Sequence, residues 1–318
     1  MKKEKKKKVL VALSGKQDSA VAAYILKKQG HDCIGISMLF NDESLHEKAK
    51  KRLEQNLEKY PDKEYLIQLG AEPKRFDREK LNSRCHIDDL DSIKQFCDWL
   101  NLPFYAVKAQ KLFQEYVMEK IVASRLLGRS HNPCLDCQNL KLRLLLEKAE
   151  MLGVDYVATG HYAKLMYQQK TNEYSILASN DVENDQSFQL SRLEQKHLSK
   201  LILPLSEMRK EEVKKISRMI QADIKQSHKD QNPCFISSRR FALYVESQVA
   251  PSLLKTGVVT DDKTEEFLAD HFGIHYFWQG QQKIRLSTEK ALSSALTISE
   301  IQDSTGTIFL SNIKSLKY

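Results

Sequence analysis

The chain lacks the features that identify membrane and secreted proteins. No run approaches the roughly 18 consecutive apolar residues that span a bilayer, although hydrophobic residues make up 41% of the 318. The opening MKKEKKKKVLVALSG is basic but has no long apolar stretch with a small-residue cleavage site, so a secretory signal is not predicted. We therefore expect a cytoplasmic protein with no membrane partner. Its six cysteines are then expected to be thiols, ligands or catalysts rather than a disulfide scaffold.

The positive charge of the chain does not identify a partner by itself. A formal net charge of +8 suits a polyanion such as nucleic acid. Residues 2–8 alone contain six lysines, however, and such a tail is usually a solvated arm. The net charge by itself therefore neither predicts nor excludes nucleic-acid binding.

Strands and helices alternate through most of the chain. KVLVAL is typical of a strand buried on both faces, and DSAVAAYILKKQG has helical spacing and ends at Gly30, a good C-cap. This alternation predicts an α/β fold built on a parallel sheet. We expect a nucleotide-binding and catalytic domain over residues 1–205, a helical central segment over 206–256, and a small β-rich module over 257–318.

The turn between the first strand and the first helix has the composition of an anion site. Ser14, Gly15, Asp18 and Ser19 lie where backbone amides and the helix dipole favour phosphate. Asp18 is predicted to cap the helix or to hold Mg²⁺ beside the phosphates. The chain lacks the Walker sequence G-x-x-x-x-G-K-[ST] at this turn, and an ordinary capped turn is the alternative.

Several blocks of sequence, in order, resemble one family. LSGKQDS is similar to the S-G-G-x-D-S PP-loop of ATP pyrophosphatases. GRSHNPCLDCQNLKLRLLLEKAEMLGVDYVATGHYAKL, NDQSFQLSRL, KDQNPCFI and GIHYFWQGQQK resemble the tRNA-uridine 2-sulfurtransferases, the tRNA 2-thiouridine synthases of the MnmA/TrmU type. The resemblance implies a PP-loop domain of the adenine nucleotide alpha hydrolase type. It also implies an enzyme that uses ATP and Mg²⁺ to adenylate the uracil C2 oxygen of tRNA, at the wobble position, and replaces that oxygen with sulfur from a donor protein or sulfide.

The resemblance assigns roles to individual residues. Those implied to bind ATP are Ala12, Leu13, Ser14, Gly15, Lys16, Gln17, Asp18, Ser19, Met38 and Gly160. Those implied to contact tRNA or the target base are Asn132, Pro133, Cys134, His161, Asn184, Asp185 and Gln186. Cys137 and Cys234 are the implied catalytic pair, with Cys234 carrying the sulfur.

Cys134 adds a third thiol to this site. It stands where relatives usually have Asp, and it creates a C-x-x-C pair with Cys137. Three thiolates from Cys134, Cys137 and Cys234 could anchor a [4Fe–4S] cluster and leave its fourth iron open for sulfide. Persulfide chemistry without a cluster, a zinc site and a merely redox-active set are the alternatives. Cys33 and Cys97 are predicted to lie in the core, and Cys85 receives no role.

The chain also departs from the family pattern. Lys16 and Gln17 replace the second glycine of the loop and its neighbour, Asn184 replaces a lysine, and the C-terminal β-barrel of the family is expected to be shortened. These departures are compatible with two other functions. One is a PP-loop sulfurtransferase or ligase for another base or a small molecule. The other is a non-catalytic RNA-binding or sulfur-carrier protein.

Overall fold

The computed structural model describes residues 6–40, 90–220, 241–282 and 296–312. Their strands in chain order are β1 Lys8–Ala12, β2 Asp32–Leu39, β3 Phe104–Lys108, β4 Tyr156–Ala158, β5 Lys164–Gln168, β6 Glu173–Leu177, β7 Leu201–Ile202, β8 Gly257–Asp261, β9 Phe267–His271, β10 Leu296–Gln302 and β11 Thr307–Asn312. The α-helices are α1 Gln17–Lys28, α2 Leu90–Trp99, α3 Gln110–Phe113, α4 Glu119–Leu126, α5 Pro133–Met151, α6 Gln195–Leu198, α7 Lys210–Met219 and α8 Phe241–Gln248. A π-helical turn, Gln114–Met118, precedes α4.

Five parallel strands in the order β3-β2-β1-β4-β7 form the sheet of the first compact unit. This unit consists of Met1–Asn41, Arg84–Phe113 and Cys134–Gln231. The chain runs from β1 to β2 and β3 on one side, then returns to β4 on the other. The strand order therefore reverses between β1 and β4, and their carboxyl ends lie side by side. Open α/β sheets bind ligands at such a point, and the predicted α/β fold is confirmed.

The core of this unit is made by the short aliphatic strand β1 and the alanine-rich face of α1. Val9, Val11 and Ala22 are fully buried there. Small side chains on α1 let the helix approach the sheet closely. Cys33 and Cys97 belong to the same core, as predicted. Burial raises the pKa of Cys33 to about 11 and that of Cys97 to about 12, so both are neutral thiols at pH 7.

A four-stranded sheet in the order β10-β11-β8-β9 belongs to the second compact unit. This unit consists of Asp42–Ser83, Gln114–Pro133 and Asn232–Tyr318, so the two units alternate along the chain. Its core contains Val259, Ile298, Ile308 and Leu310. The predicted β-rich C-terminal module is present, and β8 begins at Gly257. The functional division into three consecutive segments stays a prediction. No helix among the described residues is long and apolar enough to cross a membrane.

Candidate active site

The loop between β1 and α1 is closed by Ser19. The Ser14 amide donates to Ser19 Oγ at 3.1 Å, and Ser19 Oγ donates to the Lys16 carbonyl at 2.8 Å. The Ser14 and Ser19 hydroxyl oxygens are 3.1 Å apart. Gly15 has φ 70°, a left-handed conformation that glycine adopts without strain. These bonds shape a compact turn in which the Lys16 side chain is exposed and Gln17 is buried.

Asp18 lies in the first turn of α1 and does not cap it. The N-cap position belongs to Lys16. The Asp18 carboxylate instead receives Lys210 Nζ at 2.6 Å from each of its two oxygens, and the Tyr162 hydroxyl donates to Oδ1 at 2.9 Å. Burial and the neighbouring Asp18 carboxylate both raise the pKa of Tyr162, so its hydroxyl stays protonated and able to donate. The capping role predicted for Asp18 is wrong, because Lys16 is the N-cap residue and the helix already begins at Gln17.

The segment after β4 packs directly against this loop. A Cβ atom on Gly160 would lie 2.8 Å from both the carbonyl carbon and oxygen of Asp18. His161, the next residue, is half-buried, and its Nδ1 hydrogen-bonds Thr159 Oγ1 at 2.8 Å. Burial, with a smaller contribution from Lys141, lowers the pKa of His161 to about 4. The imidazole is therefore neutral at pH 7.

Helix α5 begins with the Cys-x-x-Cys pair. Pro133 occupies its first position, where the missing amide hydrogen costs nothing. Cys137 is buried and Cys134 is half-buried, and their spacing of three residues sets them on the same side of the helix. Asp136, between them, is 5% exposed and forms an ion pair with Arg192 at 3.2 Å. Asn132 is exposed just before the helix.

The first turns of α5 lie near the same sheet edge as the loop. Lys141, one turn beyond Cys137, has its Nζ 5.6 Å from the ring centre of Phe40, which directly follows β2. The charge of Lys141 also acts on His161. Cys234 and Cys85 lie outside the described residues. Among the residues that are described, no group of three or more Cys, His, Asp or Glu side chains is arranged to hold a metal ion.

Comparison with known proteins assigns the chain to a family. Residues 7–61 and 59–238 match the model described as tRNA methyl transferase HUP domain. The chain is 32% identical over 279 residues to the tRNA-specific 2-thiouridylase MnmA of Clostridium beijerinckii, covering 87% of this chain and 68% of that protein. It is 31% identical over 304 residues to MnmA of Clostridium perfringens, covering 95% and 74%. The chain belongs to the tRNA-specific 2-thiouridylase family.

A solved structure is a more distant neighbour. It is the predicted subunit of tRNA methyltransferase from Methanocaldococcus jannaschii, with 15% identity and a TM-score of 0.35 over 67% of this chain and 74% of that one. The family assignment rests on the sequence relatives.

The triplet implied to contact tRNA in this family is held by internal hydrogen bonds. The Tyr162 amide donates to Gln186 Oε1 at 3.1 Å, and the Gln186 amide donates to the Tyr162 carbonyl at 2.8 Å. Asp185 accepts the Ser179 amide at 2.7 Å and the Ser187 hydroxyl at 2.6 Å. Asn184 donates to Asp181 at 2.9 Å. Gln186 thus ties the triplet to the Tyr162 segment, while contact with tRNA stays a prediction.

Three further residues implied to bind ATP lie at or next to the carboxyl ends of β1 and β2. Leu13 is buried, and its amide donates to the Ile36 carbonyl at 2.8 Å. Ala12 ends β1. Met38 is 8% exposed near the end of β2 and pairs with Val107 of β3. A contact between Met38 and adenine stays a prediction.

Two residues of this site escaped the sequence analysis. Tyr162 and Lys210 both contact the Asp18 carboxylate. Lys210 is the first residue of α7, where a basic side chain faces the unfavourable positive end of the helix dipole. The lysine at the start of this helix was visible in the sequence. Its unfavourable position indicates an acidic partner elsewhere in the chain that compensates for the positive charge.

Proposed function

We propose that this chain is an ATP-dependent tRNA thiolase that converts uridine to 2-thiouridine, with the wobble uridine as its target. The observation that carries the proposal is the convergence of two features at one sheet edge. The first is the loop after β1, which presents a compact turn at a helix start. The second is the Cys-x-x-Cys start of α5, whose Lys141 contacts Phe40 after β2. The curated relatives that match most of the chain are tRNA-specific 2-thiouridylases.

The loop would serve the first half of the reaction. The uracil C2 oxygen attacks the α-phosphorus of ATP, a new oxygen–phosphorus bond forms, and pyrophosphate leaves. The amides at the start of α1 and the exposed side chain of Lys16 would stabilise charge on the phosphates. We propose that Mg²⁺ enters the site bound to the phosphates of ATP and is not held by Asp18, because both Asp18 oxygens are already bonded to Lys210.

The cysteines would serve the second half. Sulfur bonds to C2, and AMP leaves with the former C2 oxygen. We propose Cys137 and Cys234 as the catalytic pair, with Cys234 carrying a persulfide whose outer sulfur is transferred from a persulfide on a donor protein. After transfer of the outer sulfur, Cys137 and Cys234 would join as a disulfide, which an external thiol reduces. The helix dipole favours an anionic sulfur in the first turn of α5, where Cys134 lies, one turn before Cys137.

A [4Fe–4S] cluster is the rival arrangement for the same cysteines. Cys134 and Cys137 fit it as two ligands, because they lie on one side of the first turns of α5. Cys234 would be the third ligand. When bound, such a cluster supplies an iron that can hold sulfide for transfer. In that arrangement Cys134 would hold iron rather than contact the base.

The test is thiolation of unmodified tRNA by protein purified without oxygen. Incubation with ATP, Mg²⁺ and either sulfide or a persulfide donor is expected to yield 2-thiouridine, detected by mass spectrometry of the nucleosides. The same spectra distinguish sulfur insertion from methylation. Absence of thiolated uridine with any sulfur source would overturn the proposal.

Cysteine variants separate the two sulfur schemes. Cys137→Ser is expected to abolish thiolation in both. Cys134→Asp is expected to remove bound iron if a cluster is held by three cysteines, and to retain persulfide-dependent thiolation if none is needed. Cys33→Ala is the matched control, since that thiol lies in the core and is expected to leave thiolation intact.

A further inference from the structure

A largely buried ion pair with 12% and 17% side-chain exposure links the loop to the start of α7. Lys210 Nζ lies 2.6 Å from each Asp18 oxygen. The ammonium also lies 5.3 Å from the centre of the Tyr162 ring, whose hydroxyl donates to Asp18. Each group therefore has a defined geometry, unlike a pair of flexible side chains on the surface.

The position of Lys210 is fixed by its backbone as well as by its side chain. Its amide donates to Asp181 Oδ2 at 2.8 Å, and the preceding Arg209 amide donates to Glu212 Oε2 at 2.7 Å. These two bonds cap α7 and involve no Lys210 side-chain atom. Replacement of that side chain should therefore leave the helix start in place.

The negative charge of Asp18 would disfavour the negatively charged phosphates of ATP at this loop. It lies in the first turn of α1, and its backbone packs against Gly160 in the same site. An unpaired carboxylate there would repel the phosphate chain and offset the attraction of the helix dipole. The ammonium of Lys210 cancels that charge. It also hydrogen-bonds to each carboxylate oxygen, in the place where a divalent cation would otherwise bind.

We propose that Lys210, rather than a divalent cation, is the counter-ion of Asp18, and that Lys210 is a positioning residue whose pairing lets the loop accept the phosphates of ATP. The inference rests on the ATP site proposed above. Lys210 acts through Asp18, so its effect should disappear once Asp18 has no charge to neutralise.

The test combines single and double substitutions with ATP titrations at several Mg²⁺ concentrations. Lys210→Gln is expected to weaken ATP binding about tenfold or more, because it leaves the Asp18 charge uncompensated. Asp18→Asn/Lys210→Gln is expected to recover affinity to within about threefold of the wild type. The Mg²⁺ concentration that gives half-maximal binding is expected to be the same in the wild type and the double variant.

Two control variants and a stability measurement exclude a merely structural effect. Lys215→Gln removes a charge from the exposed side of the same helix and is expected to leave ATP affinity unchanged. Lys210→Arg keeps the charge and is expected to bind ATP better than Lys210→Gln. Thermal unfolding of each variant shows whether a change in affinity accompanies a change in stability.

Two results would contradict the role of Lys210, and a third would contradict the proposed function. An Asp18→Asn protein that needs about tenfold more Mg²⁺ would identify Asp18 as a metal ligand and overturn the inference. A double variant that binds ATP as weakly as Lys210→Gln would do the same. Failure of the wild type itself to bind ATP would overturn the proposed function, and this inference with it.

Discussion

Gly160 leaves no room for a side chain against the start of α1. A methyl group there would lie 2.8 Å from the backbone of Asp18 and 2.9 Å from the Ser19 amide nitrogen. Neither the loop nor the segment after β4 can yield without moving the site. The residue therefore sets the distance between the two backbone segments.

We expect Gly160→Ala to weaken ATP binding roughly tenfold, equivalent to about 1.4 kcal/mol, and to lower the free energy of unfolding by about 1–3 kcal/mol through overpacking. Calorimetric titration and chemical denaturation measure the two effects. Gly153→Ala is the matched control. Its φ of 62° makes alanine unfavourable, but nothing lies within 4 Å, so it should lose stability and keep ATP affinity.

His161 is expected to be neutral across the physiological range. Burial lowers its folded pKa to about 4, below the unfolded value of 6.5. Between these values the unfolded chain binds more protons than the folded one. The contribution of His161 to stability is therefore complete above pH 6.5 and is lost as the pH falls toward 4.

An NMR titration of the His161 ring protons is the direct measurement. A midpoint near pH 4 is expected, with His161→Gln used to assign the signal. A midpoint near 6.5 would show that the ring is solvated. A neutral ring would contact tRNA through hydrogen bonds or stacking rather than as a cation, so the contact proposed for His161 should depend little on salt.

Helix α5 is anchored near its cysteines by the pair of Asp136 and Arg192. The carboxylate is buried while the guanidinium is half-exposed. A buried charge that loses a partner costs more than an exposed pair contributes. The pair therefore stabilises the turn that carries Cys134 and Cys137.

We expect Arg192→Gln to lower the free energy of unfolding by about 1 kcal/mol, and to reduce thiolation because the first turn of α5 is less well held. Asp136→Leu/Arg192→Gln should lose less stability, since it leaves no buried charge. Lys196→Gln breaks an exposed pair with Glu194 and should change stability by less than about 0.5 kcal/mol. Equal effects of Arg192→Gln and Lys196→Gln would contradict the argument.

At the scale of the whole molecule, each of the two units has its own hydrophobic core. The chain contains two tryptophans, and Trp99 belongs to the first unit while Trp278 belongs to the second. In the second unit, buried Glu246 is bonded to His275 at 3.0 Å and accepts the Tyr276 hydroxyl. Domains with separate cores commonly unfold in separate transitions.

We expect Glu246→Gln to destabilise the second unit alone by about 1–3 kcal/mol, because it disturbs a buried hydrogen-bonded cluster. Denaturation followed by fluorescence in a Trp99→Phe background reports Trp278 and should shift. In a Trp278→Phe background Trp99 reports the first unit and should not shift. Equal shifts in both backgrounds would mean that the units unfold as one.

The structural features formed by residues close together along the chain were predictable from the sequence. The strand–loop–helix unit around Ser14, the burial of Cys33 and Cys97, and the β-rich end after Gly257 follow from periodicity and turn composition. Family membership followed from several blocks in order. These features depend on local backbone preferences and on apolar patterns that are visible within about twenty residues.

Only the tertiary structure decided what Asp18 does. The sequence was compatible with a helix cap or a metal ligand, and the structure pairs Asp18 with Lys210, which is 192 positions away. It likewise buries Asp136 against Arg192 and joins Gln186 to Tyr162. Such contacts depend on how the helices pack against the sheet. Packing brings side chains together that no local pattern relates, and the charge balance of the loop is set by that packing.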